Sequence, residues 1–122
     1  MANNIKLRSV VDITLEVIAG KKTKKDHPDV WRADVGVKRL QRAAEKGSYF
    51  LFVYAEDRKP IVYGISAREL YELCQKGKVS INSNGLKYEL YIRYKSGRVY
   101  KSISEESFVF QLHSKKIFSQ YV

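Results

Sequence analysis

Two carboxylates, Asp12 and Glu16, lie four positions apart near the start of the chain with Thr14 between them. Carboxylate oxygens can hold a divalent metal, so this pair is the first to weigh as a metal site. Their spacing works against a shared ion. On a strand, four positions span about 13 Å at roughly 3.3 Å per residue, whereas an ion takes its oxygen ligands at about 2.0 to 2.6 Å. The simpler reading makes them polar residues on the outer face of a strand that also carries Lys6 and Arg8. No serine, cysteine or histidine arrangement suggests a nucleophile, and there is no glycine-rich phosphate loop. His27 stands among Asp26, Asp29 and Asp34, which a capped helix start explains better than a metal site; His113 among its lysines receives no role.

The cations carry more. Lys21, Lys22, Lys24 and Lys25 form a run without periodicity, hence a loop. The segment after it has Val30, Ala33, Val37, Leu40 and Ala44 at helical spacing. On that helix Arg32, Arg39, Arg42 and Lys46 gather on the opposite side, bordered by Trp31, Val35 and Lys38. Loop and helix together could follow one phosphate backbone, supplying affinity without sequence choice. A second basic face follows from a tight turn at Ser96-Gly97, which pairs Arg93 with Tyr100 and Lys95 with Arg98. Lys87, Tyr91, Arg93, Lys95, Arg98 and Tyr100 then share one side, where tyrosines could stack bases between cations.

The elements that must position these groups are legible in part. From Ile5 to Ala19 the pattern alternates, as in one long strand or two joined by a bend near Ser9. Asp26 or Asp29 can cap the helix predicted over 30–46, which Gly47 ends. Tyr49 to Ala55 is apolar at nearly every position, as in a central strand covered on both faces. Ile61 to Ile65 is the next strand. Ser66 and Glu69 form a capping box for a helix over 67–75. Asn84-Gly85 and Ser96-Gly97 predict a three-strand meander over 78–83, 86–95 and 98–103. A last helix is expected from Ser104, with Glu105 and Glu106 near its start, Lys115 and Lys116 near its end, and Phe108 and Leu112 as anchors.

Composition sets the bounds. The 122 residues are 44% apolar and 30% charged, the balance of a globular chain and not of a disordered one. The net charge is +10. Residues 1–61 hold 13 basic and 8 acidic side chains and residues 62–122 hold 10 and 5, so each part contributes +5. The excess therefore belongs to the whole fold, and polyanions are the first partners to consider. The lone Cys74 excludes an internal disulfide and suits a reducing compartment as buried filler. Neither a signal-peptide pattern nor an apolar run of roughly 20 residues is present, so the expected location is cytoplasmic, with no membrane partner.

The order of pieces over residues 13–73 resembles the second half of the PD-(D/E)XK nuclease fold, as in Holliday-junction resolvases and restriction-endonuclease-like enzymes. The matching pieces are LEVIAGKK, KKTKKDHPDV, WRADVGVKRLQRAAEKG, YFLFVYA, KPIVYGIS and ARELYEL. In that family a strand bearing E-x-K leads into a basic loop, a crossing helix, two strands and a helix. Glu16 falls at the acidic ligand position, but Ile18 occupies the position of the catalytic lysine. Asp12 lies on the same strand as Glu16 and not on a preceding one, and Pro28-Asp29 follows the acidic strand. The resemblance implies Mg²⁺ only if the enzyme is active, and Lys21, Lys22 or Lys38 as a substitute cation.

The expectation is therefore an α+β chain of a single domain, with a nuclease-like part at 1–77 and a meander plus helix at 78–122. It has a central mixed sheet, a long amphipathic basic helix, and a C-terminal three-strand meander followed by a helix. The expected function is nucleic-acid binding, DNA ahead of RNA, with little or no catalysis. Open alternatives are a Mg²⁺-dependent endonuclease of junction or restriction type, and a protein-binding inhibitor or structural factor, phage-encoded or from a mobile element, whose basic face meets an acidic protein. A homodimer is also open.

Overall fold

Strands outnumber helices among the described residues, and the two helices there are short. The computed structural model describes residues 15–19, 21–22, 29–54, 61–93, 95–102 and 107–113. Along these run β1 (Leu15–Ala19), β2 (Lys21–Lys22), β3 (Val30–Gly36), α1 (Val37–Lys46), β4 (Tyr49–Tyr54), β5 (Ile61–Ser66), α2 (Ala67–Gln75), β6 (Ser80–Ile81), β7 (Lys87–Arg93), β8 (Arg98–Tyr100) and β9 (Phe110–Gln111). The expected α+β class with a mixed sheet is what forms. A three-stranded sheet has the order β1-β4-β5, with β1 parallel and β5 antiparallel to β4. A six-stranded sheet has the order β2-β3-β7-β8-β9, and β6 also pairs with β7.

β4 is central because no position on it prefers water. Phe50, Leu51 and Phe52 are fully buried on alternating faces. Each such side chain contributes roughly 1.5–3 kcal/mol by leaving water. One apolar cluster joins Ile18, Phe50, Phe52, Tyr63 and Ile65 of the first sheet to Trp31, Ala33, Val35, Leu90, Ile92 and Val99 of the second. Leu40 and Ala43 of α1 and Leu70 and Cys74 of α2 belong to the same cluster. The sheets also meet at an edge, where the Gly64 and His113 backbones exchange N–H···O bonds of 2.9 and 3.0 Å. Gly97 lies against this joint at φ +75°, and a Cβ there would come within 2.6 Å of the Tyr63 ring.

α2 has the expected limits, and its capping is as read: Ser66 Oγ accepts a 3.1 Å hydrogen bond from the Glu69 N–H. Three expectations need correction. The long helix over 30–46 is strand β3 followed by the ten-residue α1. Trp31, Ala33 and Val35 alternate with Arg32 and Asp34, and β3 pairs along its whole length with β7. That ladder outweighs the helical spacing of Val30, Ala33 and Val37. The meander's second hairpin has Tyr91 opposite Tyr100 and Ile92 opposite Val99. Its loop is four residues, 94–97, two longer than expected, so Arg93 is not opposite Tyr100 nor Lys95 opposite Arg98. Finally, 110–111 is strand β9, paired with β8, where a helix was expected. Leu112 is buried, but Phe108 is 46% exposed and anchors no helix. The expected strand from Ile5 is described only over 15–19, and the helix expected beyond residue 113 lies outside the described residues.

Candidate nucleic-acid interface

α1 carries the first group of expected contacts, and the fold divides them. Gly36 and Gly47 bound the helix, with Gly47 in the left-handed conformation at φ 68°. Leu40, Ala43 and Ala44 face the core. Lys38, Arg42 and Lys46, four positions apart, form an exposed ridge about 12 Å long at a rise of 1.5 Å per residue. Among the described residues none of the three makes an ion pair. Arg42 Nε donates at 3.4 Å to the Lys38 carbonyl, which leaves the outer guanidinium edge to solvent. Glu45 borders the ridge, and Lys38, Gln41, Arg42 and Glu45 line a shallow groove of about 360 Å³. Gln41 and Glu45 also line a larger groove of about 570 Å³ between the helices, closed by Ala44, Arg68, Tyr71 and Glu72.

Two expected members of this group are committed elsewhere. Arg39 points to β1, where its Nε and Nη2 donate to Glu16 Oε2 at 3.0 and 2.6 Å. Arg32 is on β3 and not on a helix. Its Nη1 lies 3.3 Å from Glu89 Oε2 and its Nε 3.0 Å from Asp34 Oδ1. Sequence reasoning missed both partnerships because each carboxylate comes from a different element or from a strand read as helix.

The Glu16 pairing bears on metal binding. The carboxylate oxygen that a cation would take is already held by a guanidinium, and Ile18 beside it is buried. Among the described residues no group of three His, Cys, Asp or Glu side chains could hold a metal ion. The described residues thus do not fit the Mg²⁺ site that the nuclease resemblance implies. Asp12 lies outside them, as do Lys24 and Lys25. The backbones of Lys21 and Lys22 pair in register with Arg32 and Trp31 as β2, so the expected loop begins with a strand.

The second group sits on the face of β7 and β8 turned from the core. Lys87, Tyr91, Arg93, Arg98 and Tyr100 share that face as expected, because the hairpin is shifted by two positions and a shift of two preserves sidedness. Arg93 lies over the Tyr100 ring, 5.1 Å from its centroid, and 3.9 Å from Asp29. Arg98 lies over the Phe108 ring at 4.8 Å. Tyr100 is 5% exposed, so its ring serves as a floor for Arg93 and not as an open stacking surface. Phe108 went unnoticed as a surface residue because the expected helix turned it inward. Lys95 belongs to the loop 94–97.

Cys74 is buried, and burial pushes its thiol up from 9.0 to about 12. That excludes it as a thiolate nucleophile near neutral pH. No helix among the described residues is long and apolar enough to cross a membrane. No family model, curated protein or solved structure matches the chain.

Proposed function

We propose that this protein binds nucleic acid through the cation ridge of α1, without cutting what it binds. The observation that carries the reading is the ridge itself. Lys38, Arg42 and Lys46 stand in one exposed row, unpaired among the described residues, on a chain of net charge +10. Like charges four apart on a helix oppose one another, so such a row carries a cost in the free protein and gains from an anion that spans it. A phosphate backbone is such an anion, and DNA is the first substrate to try. Two nearby arginines with carboxylate partners, Arg32 and Arg39, are assigned to holding the fold.

Binding without cleavage is preferred to the Mg²⁺-dependent endonuclease because Arg39 engages Glu16. The test is a salt titration of binding by fluorescence anisotropy, comparing the natural chain with a Lys38→Ala, Arg42→Ala, Lys46→Ala triple variant. Each lost phosphate contact lowers the slope of log K against log salt by about 0.9, so the triple variant is expected to lose about 2.7 in slope on duplex DNA. An unchanged slope and affinity overturns the reading. Branched and linear DNA incubated with Mg²⁺ or Mn²⁺ should stay intact. Cleavage that disappears in Glu16→Ala would establish the endonuclease instead.

A further inference from the structure

The far end of hairpin β7–β8 holds an arrangement that the ridge does not explain. Arg93 and Arg98 flank the loop 94–97, one from each strand, at the next positions in the register after Ile92 and Val99. Both point away from the core. Like charges facing each other across two strands are destabilising. Among the described residues Asp29, 3.9 Å from Arg93 with both side chains 46% exposed, answers one of the two and no carboxylate answers the other. Each guanidinium instead lies over an aromatic ring, Arg93 over Tyr100 and Arg98 over Phe108. Tyr100 is buried beneath its arginine, whereas Phe108 is 46% exposed, among the few large apolar side chains that face solvent in the described residues.

Among the described residues, this end of the sheet thus combines two cations that share one carboxylate with an exposed flat ring already stacked on one side by a guanidinium. A free phosphate would satisfy the cations but has no use for the ring. A duplex offers phosphates but keeps its base faces stacked inside. A ligand that brings both an anion and an open aromatic face is an unpaired nucleotide. We infer that Arg93, Arg98 and Phe108 form a stacking platform for single-stranded nucleic acid, with a base against Phe108 and the adjoining phosphates against the two arginines. This rests on the nucleic-acid reading above and gives it a substrate class. The platform lies at the Arg93 end of β7, whereas α1 starts beside its Lys87 end, about 20 Å away at roughly 3.3 Å per residue. Each is therefore open to separate substitution.

The experiment measures anisotropy of labelled oligo-dT and of a blunt duplex of equal length, for the natural chain, for Phe108→Ala, for Phe108→Trp and for the ridge triple variant. Oligo-dT is expected to bind more tightly than the duplex. Phe108→Ala should weaken oligo-dT by roughly five- to a hundred-fold and leave the duplex unchanged, and Phe108→Trp should keep oligo-dT affinity. Because Phe108 is half exposed, the alanine variant is expected to fold, which circular dichroism checks. Equal loss on both ligands, or loss on neither, overturns the platform. If the ridge variant weakens both ligands while Phe108→Ala spares both, the protein is a nucleic-acid binder without this platform. If the natural chain binds neither ligand, or prefers poly-glutamate at equal charge, both readings fall and an acidic protein partner takes their place.

Discussion

Arg39 and Arg42 are three residues apart on the same helix, yet they do different work. Arg39 leans to β1 and gives two N–H groups to one oxygen of Glu16, while Arg42 keeps to its own helix and shows its charge to water. The same division separates Arg32, set between Asp34 and Glu89, from Lys38 and Lys46. In a chain with ten more positive than negative charges, the carboxylates are the scarce reagent. Where the described structure places them indicates which cations hold the fold together and which remain for a ligand.

Four measurements can break or sharpen that contrast. Glu16→Ala should cost the most stability, about 1–2 kcal/mol in urea unfolding, since it strands Arg39 at a partly exposed site. The same change frees a cation, so affinity for DNA should hold or rise. A fall in affinity would mean that Glu16 serves the ligand. Asp34→Asn should cost less, about 0.5–1 kcal/mol, because Glu89 still answers Arg32. Arg42→Ala should leave stability within about 0.5 kcal/mol and reduce the salt slope by about 0.9. Loss of stability without loss of slope would reverse the roles of Arg39 and Arg42. The smallest effect near neutral pH concerns Cys74. Its folded thiol holds its proton more tightly than an exposed one, so the stabilisation is complete below pH 9.0 and is lost as pH rises from there toward about 12. Urea midpoints should fall over that window, and less steeply in Cys74→Ala.

Much of the scaffold was legible locally. β4 announces itself by a run without polar residues, and α2 by Ser66 and Glu69 three apart. β3 was not legible, because Val30, Ala33 and Val37 fit a helix while Trp31, Ala33 and Val35 fit a strand, and Ala33 serves both. Only pairing with β7, more than fifty residues away in sequence, decides between them. The same holds for β9, whose segment carries helix-like end charges but is captured by β8. For the interface, the ridge was visible as charge on a periodic segment. Its trimming to Lys38, Arg42 and Lys46 was not, because Glu16 and Glu89 approach through the fold. Phe108 was hidden for the same reason as β9.

The bridge between Gly64 and His113 has a consequence for how the molecule comes into being. During synthesis, the backbone groups of β5 at that rim stay without their partner until nearly fifty further residues have been added. An uncovered strand rim is a template for pairing with another copy of the same chain. Newly made protein is therefore exposed to self-association at this rim until residues 110–113 arrive, and a chain shortened ahead of residue 110 would keep that hazard for its lifetime.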